Sequence, residues 1–455
     1  MSSDPIVVVG GGAAGIACAC SLAEHGHHVT LIEQGPRLGG RAGSFSHPTF
    51  GDLDAGLHIL MRCCTEATAL LQRLGVGDDI CFQSSLEVPI ATHDVPRPTR
   101  ARIASAPLPS PLNLLPSLLR YRPLSAADRI RVLPAALALW LRSPKGGETF
   151  ATWLRRRAQS EKMIARFWDP VSIAALNASA STVDTDAAGK VFRDAFLSPH
   201  GADLGFFRRP LSKLFGAAIP YIERRGGTVL LRTQVRSIET RTGRCIGVRL
   251  PTGERIRASS VVAAVPPAQL ATMLSNTPEQ HLPQDIHNAL NLRWAPIVNL
   301  NLRFDRPVMQ KEQPFFIGVD GPIQAVFDVS AIRRESVGHH VVLSQSDAHD
   351  LISLSDVEIL NSLLDPLKHL LPTTSTARLR GWFASRWRQA TFVPEPGSNA
   401  LRPQPCSAIP QLHLAGDWVE TEWPSTIEGA VRAGLSAAKC VLNDCFANEK
   451  SDHCA

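Results

Sequence analysis

The sequence predicts two interleaved domains, an α/β nucleotide-binding domain with a parallel sheet and a second domain of mixed α+β structure. Three observations lead to this prediction. The chain has 455 residues, which is too long for one ordinary domain. Apolar residues make up 44% of the chain and charged residues 19%, so large cores can form. The chain opens with a β-branched run, a glycine-rich turn and an Ala-rich segment, which is the order of a parallel strand entering a helix.

The N-terminal segment has a Rossmann-type pattern. Residues 6–9 predict a buried strand and residues 16–25 an Ala-rich helix. Three glycines between them allow a tight turn, close approach of a pyrophosphate and helix–strand packing, and the helix N-terminus would bind the pyrophosphate. The three glycines are Gly10, Gly12 and Gly15, and Ala13 and Ala14 between them are also predicted to bind the cofactor. A second strand over 28–32 leads to Glu33 and Gln34, and an acid there accepts hydrogen bonds from ribose hydroxyls. The segment therefore predicts a bound dinucleotide.

The residues after this second strand resemble the flavin-specific extension of the amine oxidase and phytoene desaturase superfamily. They read Gly35-Pro-Arg-Leu-Gly-Gly-Arg41, and the resemblance implies that Gly40 and Arg41 contact the phosphates of FAD. Residues 52–58 are similar to the D-x-G-x-H stretch of the same superfamily. That similarity implies that Gly56 and Leu57 lie beside the flavin ring.

A second FAD pattern of this superfamily lies near the C-terminus. Residues 412–417 read as a strand that ends in Gly416 and Asp417. The resemblance implies that this carboxylate accepts a hydrogen bond from a ribityl or phosphate-side hydroxyl. An Ala-rich helix follows, and Thr426 and Ile427 at its start would face the flavin pyrimidine ring, where N–H groups stabilise negative charge.

These patterns imply a discontinuous FAD-binding domain with a substrate-binding domain interleaved in it. Residues 226–239 resemble the strand that returns to the nucleotide domain, which implies that Val235 contacts adenine. We expect residues 1–69, 205–284 and 395–455 to form the FAD-binding domain, and residues 70–204 and 285–394 to form the substrate-binding domain.

Further segments, from both predicted domains, resemble the squalene-associated FAD-dependent desaturases, also called hydroxysqualene dehydroxylases. Residues 161–177 carry the most specific block, and residues 57–66, 207–215 and 295–307 fit as well. The resemblance implies reduction of hydroxysqualene, a C30 allylic alcohol, to squalene, as in bacterial hopanoid biosynthesis. Arg62 departs from the pattern, because a small residue is expected before the cysteine pair.

Removal of a hydroxyl group requires a proton donor, because hydroxide is a poor leaving group. His58 is the first candidate, since the motif implies a place beside the flavin and its pKa suits neutral pH; a purely structural histidine is the alternative. Asp54 and Asp169 are further candidates because burial raises the pKa of a carboxyl, although Asp54 could instead cap the local turn. The predicted pocket residues, which suit a hydrocarbon, are Trp168, Asn177, Trp387 and Trp423.

The sequence also bears on three alternative functions: an amine oxidase, a carotenoid desaturase and a prenyl-lipid binding protein. An amine oxidase usually carries a lysine near the flavin, and residues 297–303 contain none. An amine oxidase also often has an aromatic cage built from tyrosine, and the two tyrosines of this chain lie far from the C-terminal pattern. A carotenoid desaturase of the phytoene type stays open, with hydride moving in the opposite direction. A non-catalytic prenyl-lipid binding protein would have eroded FAD motifs, and here they are intact.

Charge and cysteine content limit the partners. The net charge is +6 and the basic residues are scattered, which disfavours nucleic acid. The ten cysteines have no paired C-x-x-C spacing, so we expect no metal site and reduced thiols in a cytoplasmic protein.

Residues 103–142, rich in Leu, Pro and Arg, predict either contact with the inner face of the cell membrane or a buried helical hairpin. No second dinucleotide motif identifies the electron donor, which would be a separate reductase or transient NAD(P)H.

Overall fold

The computed structural model describes residues 4–142, 144–196, 198, 200–275, 282–334 and 338–452. Its strands are β1 (Ile6–Val9), β2 (Val29–Ile32), β3 (Ser44–His47), β4 (Gly51–Asp54), β5 (Ile59–Met61), β6 (Ile80–Phe82), β7 (Glu87–Thr92), β8 (Arg100–Ala104), β9 (Leu204–Phe207), β10 (Thr228–Leu230), β11 (Ser237–Arg241), β12 (Arg244–Arg249), β13 (Arg255–Arg257), β14 (Ser260–Ala263), β15 (Trp294–Phe304), β16 (Phe315–Val319), β17 (Ala325–Asp328), β18 (His339–Ser346), β19 (Leu379–Phe392) and β20 (Leu412–Leu414). Its α-helices are α1 (Ala13–Glu24), α2 (Thr65–Arg73), α3 (Leu115–Leu119), α4 (Ala126–Leu141), α5 (Phe150–Arg155), α6 (Glu161–Met163), α7 (Asp169–Leu176), α8 (Thr185–Val191), α9 (Leu211–Phe215), α10 (Ala218–Glu223), α11 (Pro267–Ser275), α12 (Gln284–Ala289), α13 (Val329–Ile332), α14 (Asp356–Leu370) and α15 (Ile427–Asp452).

A five-stranded parallel sheet confirms the predicted nucleotide-binding fold. Its strand order is β10-β2-β1-β14-β20, so the N-terminal, middle and C-terminal parts of the chain all contribute. Every residue of β1 and β2 is buried, as a parallel sheet covered on both faces requires. Helices α1 and α15 cross closely, because a Cβ on Gly434 would stand only 2.1 Å from the carbonyl oxygen of Ala14.

A seven-stranded mixed sheet forms the second layer of the molecule. Its order is β19-β15-β18-β17-β16-β7-β8, with one parallel pair between β7 and β16. Residues alternate along β15: Val298 and Leu300 pack into the core beneath α14, whereas Asn299 on the opposite face reaches the backbone of Ala55. Strand β15 thereby connects the second sheet to the loop between β4 and β5.

Helices α3–α8 pack around an aromatic core beside this sheet. Trp168 lies at its centre with 1% of its surface exposed, and it contacts the rings of Phe150, Phe167 and Phe192. Residues 103–142 form the end of β8, helix α3 and helix α4. No helix in the described ranges is both long and apolar enough to span a bilayer.

The structure corrects one expectation about the cysteines. Cys406 and Cys440 are joined by a disulfide, with a Cα–Cα distance of 6.1 Å, so the prediction of free thiols is wrong for this pair. Cys454 lies outside the described residues. The two partners are 34 residues apart, and no short-range spacing rule connects them.

Candidate flavin site

A cavity of about 1320 Å³ is lined by residues of both sheets and of the helical region. It contains nearly all of the positions predicted to hold the cofactor. Those that line it are Gly10, Gly12, Ala13, Ala14, Glu33, Gln34, Gly40, Arg41, Gly56, Leu57, Val235, Gly416, Asp417, Thr426 and Ile427. The cavity thus brings together segments from the whole length of the chain.

The three glycines of the N-terminal turn have three different roles. A Cβ on Gly10, which has φ +108°, would stand 2.4 Å from the carbonyl oxygen of Ala264, and a Cβ on Gly15 would stand 1.9 Å from that of Gly10. These two positions need glycine for the turn and for helix–strand packing. A Cβ on Gly12 would meet no described atom within 4 Å. Gly12 therefore borders open space at the start of α1.

The start of α1 suits a phosphate anion. No side chain among the described residues caps this helix, which leaves its first N–H groups available to an anion. Glu33 lies at the end of β2, where its carboxylate accepts hydrogen bonds from the N–H groups of Gly11 (2.7 Å) and Gly35 (2.6 Å). These two bonds fix the carboxylate at the cavity wall, where a ribose would lie.

The two FAD patterns meet directly. Arg41 forms an ion pair with Asp417, although 376 residues separate them, and it also donates a hydrogen bond to the carbonyl of Ala390 (3.0 Å). The other oxygen of Asp417 accepts a hydrogen bond from the Ser425 hydroxyl. The Arg41 guanidinium and the uncapped start of α1 line the same cavity, and both are groups that bind a pyrophosphate, so these residues fit FAD.

The chain matches the family described as flavin containing amine oxidoreductase over residues 13–442. It belongs to that family. The protein is therefore a flavin-dependent oxidoreductase, and the turn that contains Gly10 and Gly12, with Glu33 beside it, fits a dinucleotide.

Several known proteins are similar to this chain over most of its length. A 15-cis-phytoene desaturase of Solanum lycopersicum is 24% identical over 468 residues, covering 96% of this chain and 78% of that protein. A hydroxysqualene dehydroxylase of Rhodopseudomonas palustris is 27% identical over 449 residues, covering 97% of this chain and 99% of that protein. The solved structure of an oxidoreductase from Methanosarcina mazei has a TM-score of 0.75 at 18% identity, covering 96% of this chain and 100% of that one, which shows a shared fold.

His58 lies in the cavity wall and is held in one tautomer. Its Nδ1 lies 2.7 Å from the carbonyl oxygen of Gly56, which can only accept, so Nδ1 carries the proton and Nε2 is free to accept. Burial lowers the pKa of this imidazole, with a smaller opposing effect of Asp54. The ring is therefore neutral near pH 7, which disfavours the imidazolium that a proton donor would require.

Asp169 lies in the same cavity wall, and there burial favours its protonated form, whereas it favours the unprotonated form of His58. It begins α7, and its Oδ1 accepts a hydrogen bond from the N–H of Ala180 (2.7 Å). Within the described part of the chain its Oδ2 makes no hydrogen bond. Burial raises the pKa of this carboxyl, and the Ala180 bond opposes the shift only in part. Burial thus disposes Asp169, in the cavity wall, to carry a proton.

Asp54 is not placed to act on a substrate. Its side chain is 5% exposed, does not line the large cavity, and forms a buried ion pair with Arg333. Its Oδ1 also accepts hydrogen bonds from the Ser44 hydroxyl (2.6 Å) and the Leu211 N–H (2.9 Å). Because this carboxyl is engaged by a guanidinium and two further donors away from the cavity, we do not retain Asp54 as a proton donor.

Replacing Asp54 by asparagine is expected to lower the free energy of unfolding by about 2 kcal/mol, because Arg333 would lose its buried anion. We expect the flavin content and kcat of the folded variant to stay close to wild type. Urea denaturation followed by circular dichroism measures the first effect, and turnover per bound flavin measures the second. A folded Asp54→Asn protein with full flavin and no turnover would contradict the structural assignment.

Three of the four predicted pocket residues line the cavity, and the fourth does not. Trp387 and Trp423 line the cavity, as expected for flat apolar walls. Trp168 does not: it lies in the helical core, where its Nε1 donates to the Oε1 of Gln159, so the prediction that it lines the pocket is wrong. Asn177 borders the cavity, but its amide is engaged by backbone and side-chain partners that fix the end of α7.

Sequence reasoning missed a charged pair inside the cavity. Lys190 and Asp194 both line it and form an ion pair of 2.8 Å, and the lysine Nζ lies 5.1 Å from the centre of the Trp423 ring. The sequence could have indicated the pair, because oppositely charged residues four positions apart on a helix are neighbours. Only the fold shows that this segment faces the cavity.

Proposed function

We propose that this FAD-dependent oxidoreductase removes the allylic hydroxyl of hydroxysqualene and releases squalene. The observation that carries the proposal is the cavity beyond the cofactor residues, which has apolar walls. These include Val88, Ile90, Ile103, Phe196, Leu204 and Phe315. Its volume of about 1320 Å³ exceeds the roughly 300–1,000 Å³ of ordinary ligand pockets, as a dinucleotide plus a long hydrocarbon would require.

The reaction replaces a C–O bond by a C–H bond and produces water. Reduced flavin, when bound, supplies the hydride. Asp169 holds the proton that converts the leaving hydroxyl to water, since burial favours its protonated form. The apolar walls exclude water from the carbon that develops positive charge, and the faces of Trp387 and Trp423 stabilise it.

The comparisons support an isoprenoid substrate in general. The hydroxysqualene dehydroxylase and the 15-cis-phytoene desaturase named above both match 96% or more of this chain. The names of these two enzymes refer to a hydroxylated substrate, hydroxysqualene, and to a hydrocarbon, phytoene. A carboxyl with a raised pKa in the cavity can donate the proton that the first reaction consumes. Desaturation of a hydrocarbon instead releases a proton together with the hydride, so it requires an ionised base rather than a proton donor.

The deciding experiment supplies both substrates to the purified protein. We expect squalene from hydroxysqualene under anaerobic conditions with chemically reduced FAD, and no product from phytoene with oxidised FAD. Lipid extracts analysed by gas chromatography with mass spectrometry measure both. A desaturated product from phytoene, without squalene from hydroxysqualene, would overturn the proposal in favour of a carotenoid desaturase.

We also propose that residues 103–142 contact an anionic membrane surface, from which a hydrocarbon substrate would enter. Seven large apolar side chains in this segment are at least 47% exposed: Leu108, Leu112, Leu119, Ile130, Leu137, Trp140 and Leu141. Helix α4 packs through Val132, Ala135 and Leu139, and it leaves Ile130, Leu137, Trp140 and Leu141 exposed. Exposed arginines at 120, 122, 131 and 142 suit headgroup phosphates. The segment thus has both the apolar and the basic groups of an interfacial helix.

The double variant Leu137→Glu/Trp140→Glu is expected to weaken binding to vesicles of phosphatidylglycerol and phosphatidylcholine by at least about tenfold, because it places charge where apolar surface would be buried. Co-sedimentation measures the bound fraction. Val357→Glu, which changes an exposed apolar residue on α14, serves as the matched control and should bind like wild type. Equal binding by all three proteins would contradict the proposed contact.

A further inference from the structure

Three potential metal ligands lie together outside the flavin cavity. The ligand atoms of Cys406, His413 and Cys440 are all within 4.8 Å of one another, and none of these residues lines the cavity. Cys406 and His413 are opposite partners in an antiparallel bridge beside β20, and Cys440 reaches them from α15. Backbone pairing and a helix therefore fix all three positions.

His413 is a buried imidazole without a hydrogen-bond partner. Its side chain is 3% exposed, and neither ring nitrogen makes a hydrogen bond within the described part of the chain. Nε2 lies 3.5 Å from Oδ2 of Asp444, one helical turn beyond Cys440, and the pair does not meet hydrogen-bond geometry. A buried polar ring with both nitrogens unsatisfied is costly and is rare in folded proteins. Its surroundings indicate what would satisfy it.

We propose that, when the Cys406–Cys440 disulfide is reduced, the two thiolates and His413 bind one zinc ion, with Asp444 as the fourth ligand. Zinc prefers four ligands of this kind in a tetrahedral arrangement, with sulfur at about 2.3 Å and nitrogen at about 2.0–2.1 Å. That geometry places the two sulfurs about 3.8 Å apart. The Cα–Cα distance of 6.1 Å allows this separation by rotation of the cysteine side chains.

The binding step is balanced in protons and electrons. A dithiol reductant converts the disulfide to two thiols and is itself oxidised to a disulfide. Zinc binding then releases the two thiol protons and involves no change in oxidation state. Disulfide and zinc complex are mutually exclusive, because both use the same two sulfurs. Cys406 is exposed, which gives the ion a path to the site.

The site would join two elements that contribute to the flavin cavity. Strand β20 leads directly to Gly416 and Asp417, and α15 begins at Ile427 in the cavity wall. We therefore expect a structural role, since four protein ligands leave no position for a substrate. The proposal differs from the expectation drawn from cysteine spacing, because its ligands come from a strand pair and a distant helix. It does not depend on which isoprenoid the enzyme uses.

The test measures zinc in the full-length flavoprotein. Protein purified with a dithiol reductant, exposed to equimolar zinc and then desalted should retain about one zinc per chain by plasma mass spectrometry. Cys406→Ser and His413→Gln should retain less than about a tenth of that, and Asp444→Asn should bind more weakly than wild type. Cys81→Ser, which removes a cysteine elsewhere, is the matched control and should retain the full amount.

A second measurement uses wild-type protein alone, in case a variant fails to fold. Zinc should protect Cys406 and Cys440 of the reduced protein from alkylation, as located by peptide mass spectrometry, and should leave the labelling of Cys81 unchanged. Cobalt in place of zinc should give the visible absorption of a tetrahedral thiolate site at wavelengths beyond the flavin bands. Reduced protein that retains no stoichiometric zinc and shows no protection of the two thiols would overturn the proposal. Zinc retention that is unchanged in His413→Gln and Cys406→Ser would overturn it equally.

Discussion

Replacing Asp169 by asparagine is expected to lower kcat for the proposed removal of the hydroxyl by roughly 10²–10⁴-fold, because the leaving group would no longer receive a proton. The amide keeps the shape of the side chain, and its oxygen can still accept the hydrogen bond from Ala180. We therefore expect normal flavin content and a normal melting temperature. Single-turnover reduction of hydroxysqualene, monitored by flavin reoxidation without oxygen, measures the step directly.

The pH dependence of the reaction rate is a second test of Asp169 as the proton donor. A proton donor acts in its protonated form, and burial keeps Asp169 protonated to higher pH than an ordinary aspartate. The wild-type rate should fall as pH rises through this raised pKa, and the fall should be absent from Asp169→Asn. If His58 were the donor, His58→Gln would instead remove a limb that lies below the ordinary histidine pKa.

A matched control separates loss of a proton donor from loss of a buried carboxyl. Asp347 is also a carboxyl whose pKa is raised by burial, and it does not line the cavity. Asp347→Asn should keep full turnover. Equal losses in both variants, or full turnover in Asp169→Asn, would eliminate the proposed role of Asp169.

The cofactor half of the site was predictable because it is built from local backbone geometry. Gly10 and Gly15 are needed where backbone atoms approach within a few ångströms, and such positions leave fixed spacings in the sequence. Arg41 and Asp417 belong to two separate motifs, and the fold brings them into one ion pair. Each motif could therefore be recognised alone, although their direct contact could not.

The substrate half depends on burial, which a sequence does not specify residue by residue. His58 and Asp169 both line the cavity, and their enclosure moves the two pKa values in directions that exchange their expected roles. Asp54 is a candidate acid by its motif, but in the fold it is paired with the buried Arg333, which comes from a distant part of the chain. Trp168 belongs to a block with a recognisable pattern, yet its ring fills the helical core because three phenylalanines surround it there.

Replacing Gly12 by valine is expected to abolish stable FAD binding, raising its Kd by at least about a hundredfold, or about 3 kcal/mol. The backbone at Gly12 has φ −75°, which valine adopts without strain, and a Cβ there meets no described atom within 4 Å. The fold should therefore survive, while the new side chain occupies the space beside the first N–H groups of α1. Absorbance of the purified protein and titration of apoprotein with FAD measure the loss.

Gly15→Ala is the informative comparison, because its added methyl group points the other way. A Cβ at Gly15 would stand 1.9 Å from the carbonyl oxygen of Gly10, so this change should destabilise the packing of α1 on β1 instead of filling the cavity. We expect a lower melting temperature in Gly15→Ala, even in apoprotein, and an unchanged apoprotein melting temperature in Gly12→Val. A Gly12→Val protein that binds FAD like wild type would show that the pyrophosphate does not lie against the start of α1. The assignment of this turn as the FAD cradle would then have to be abandoned.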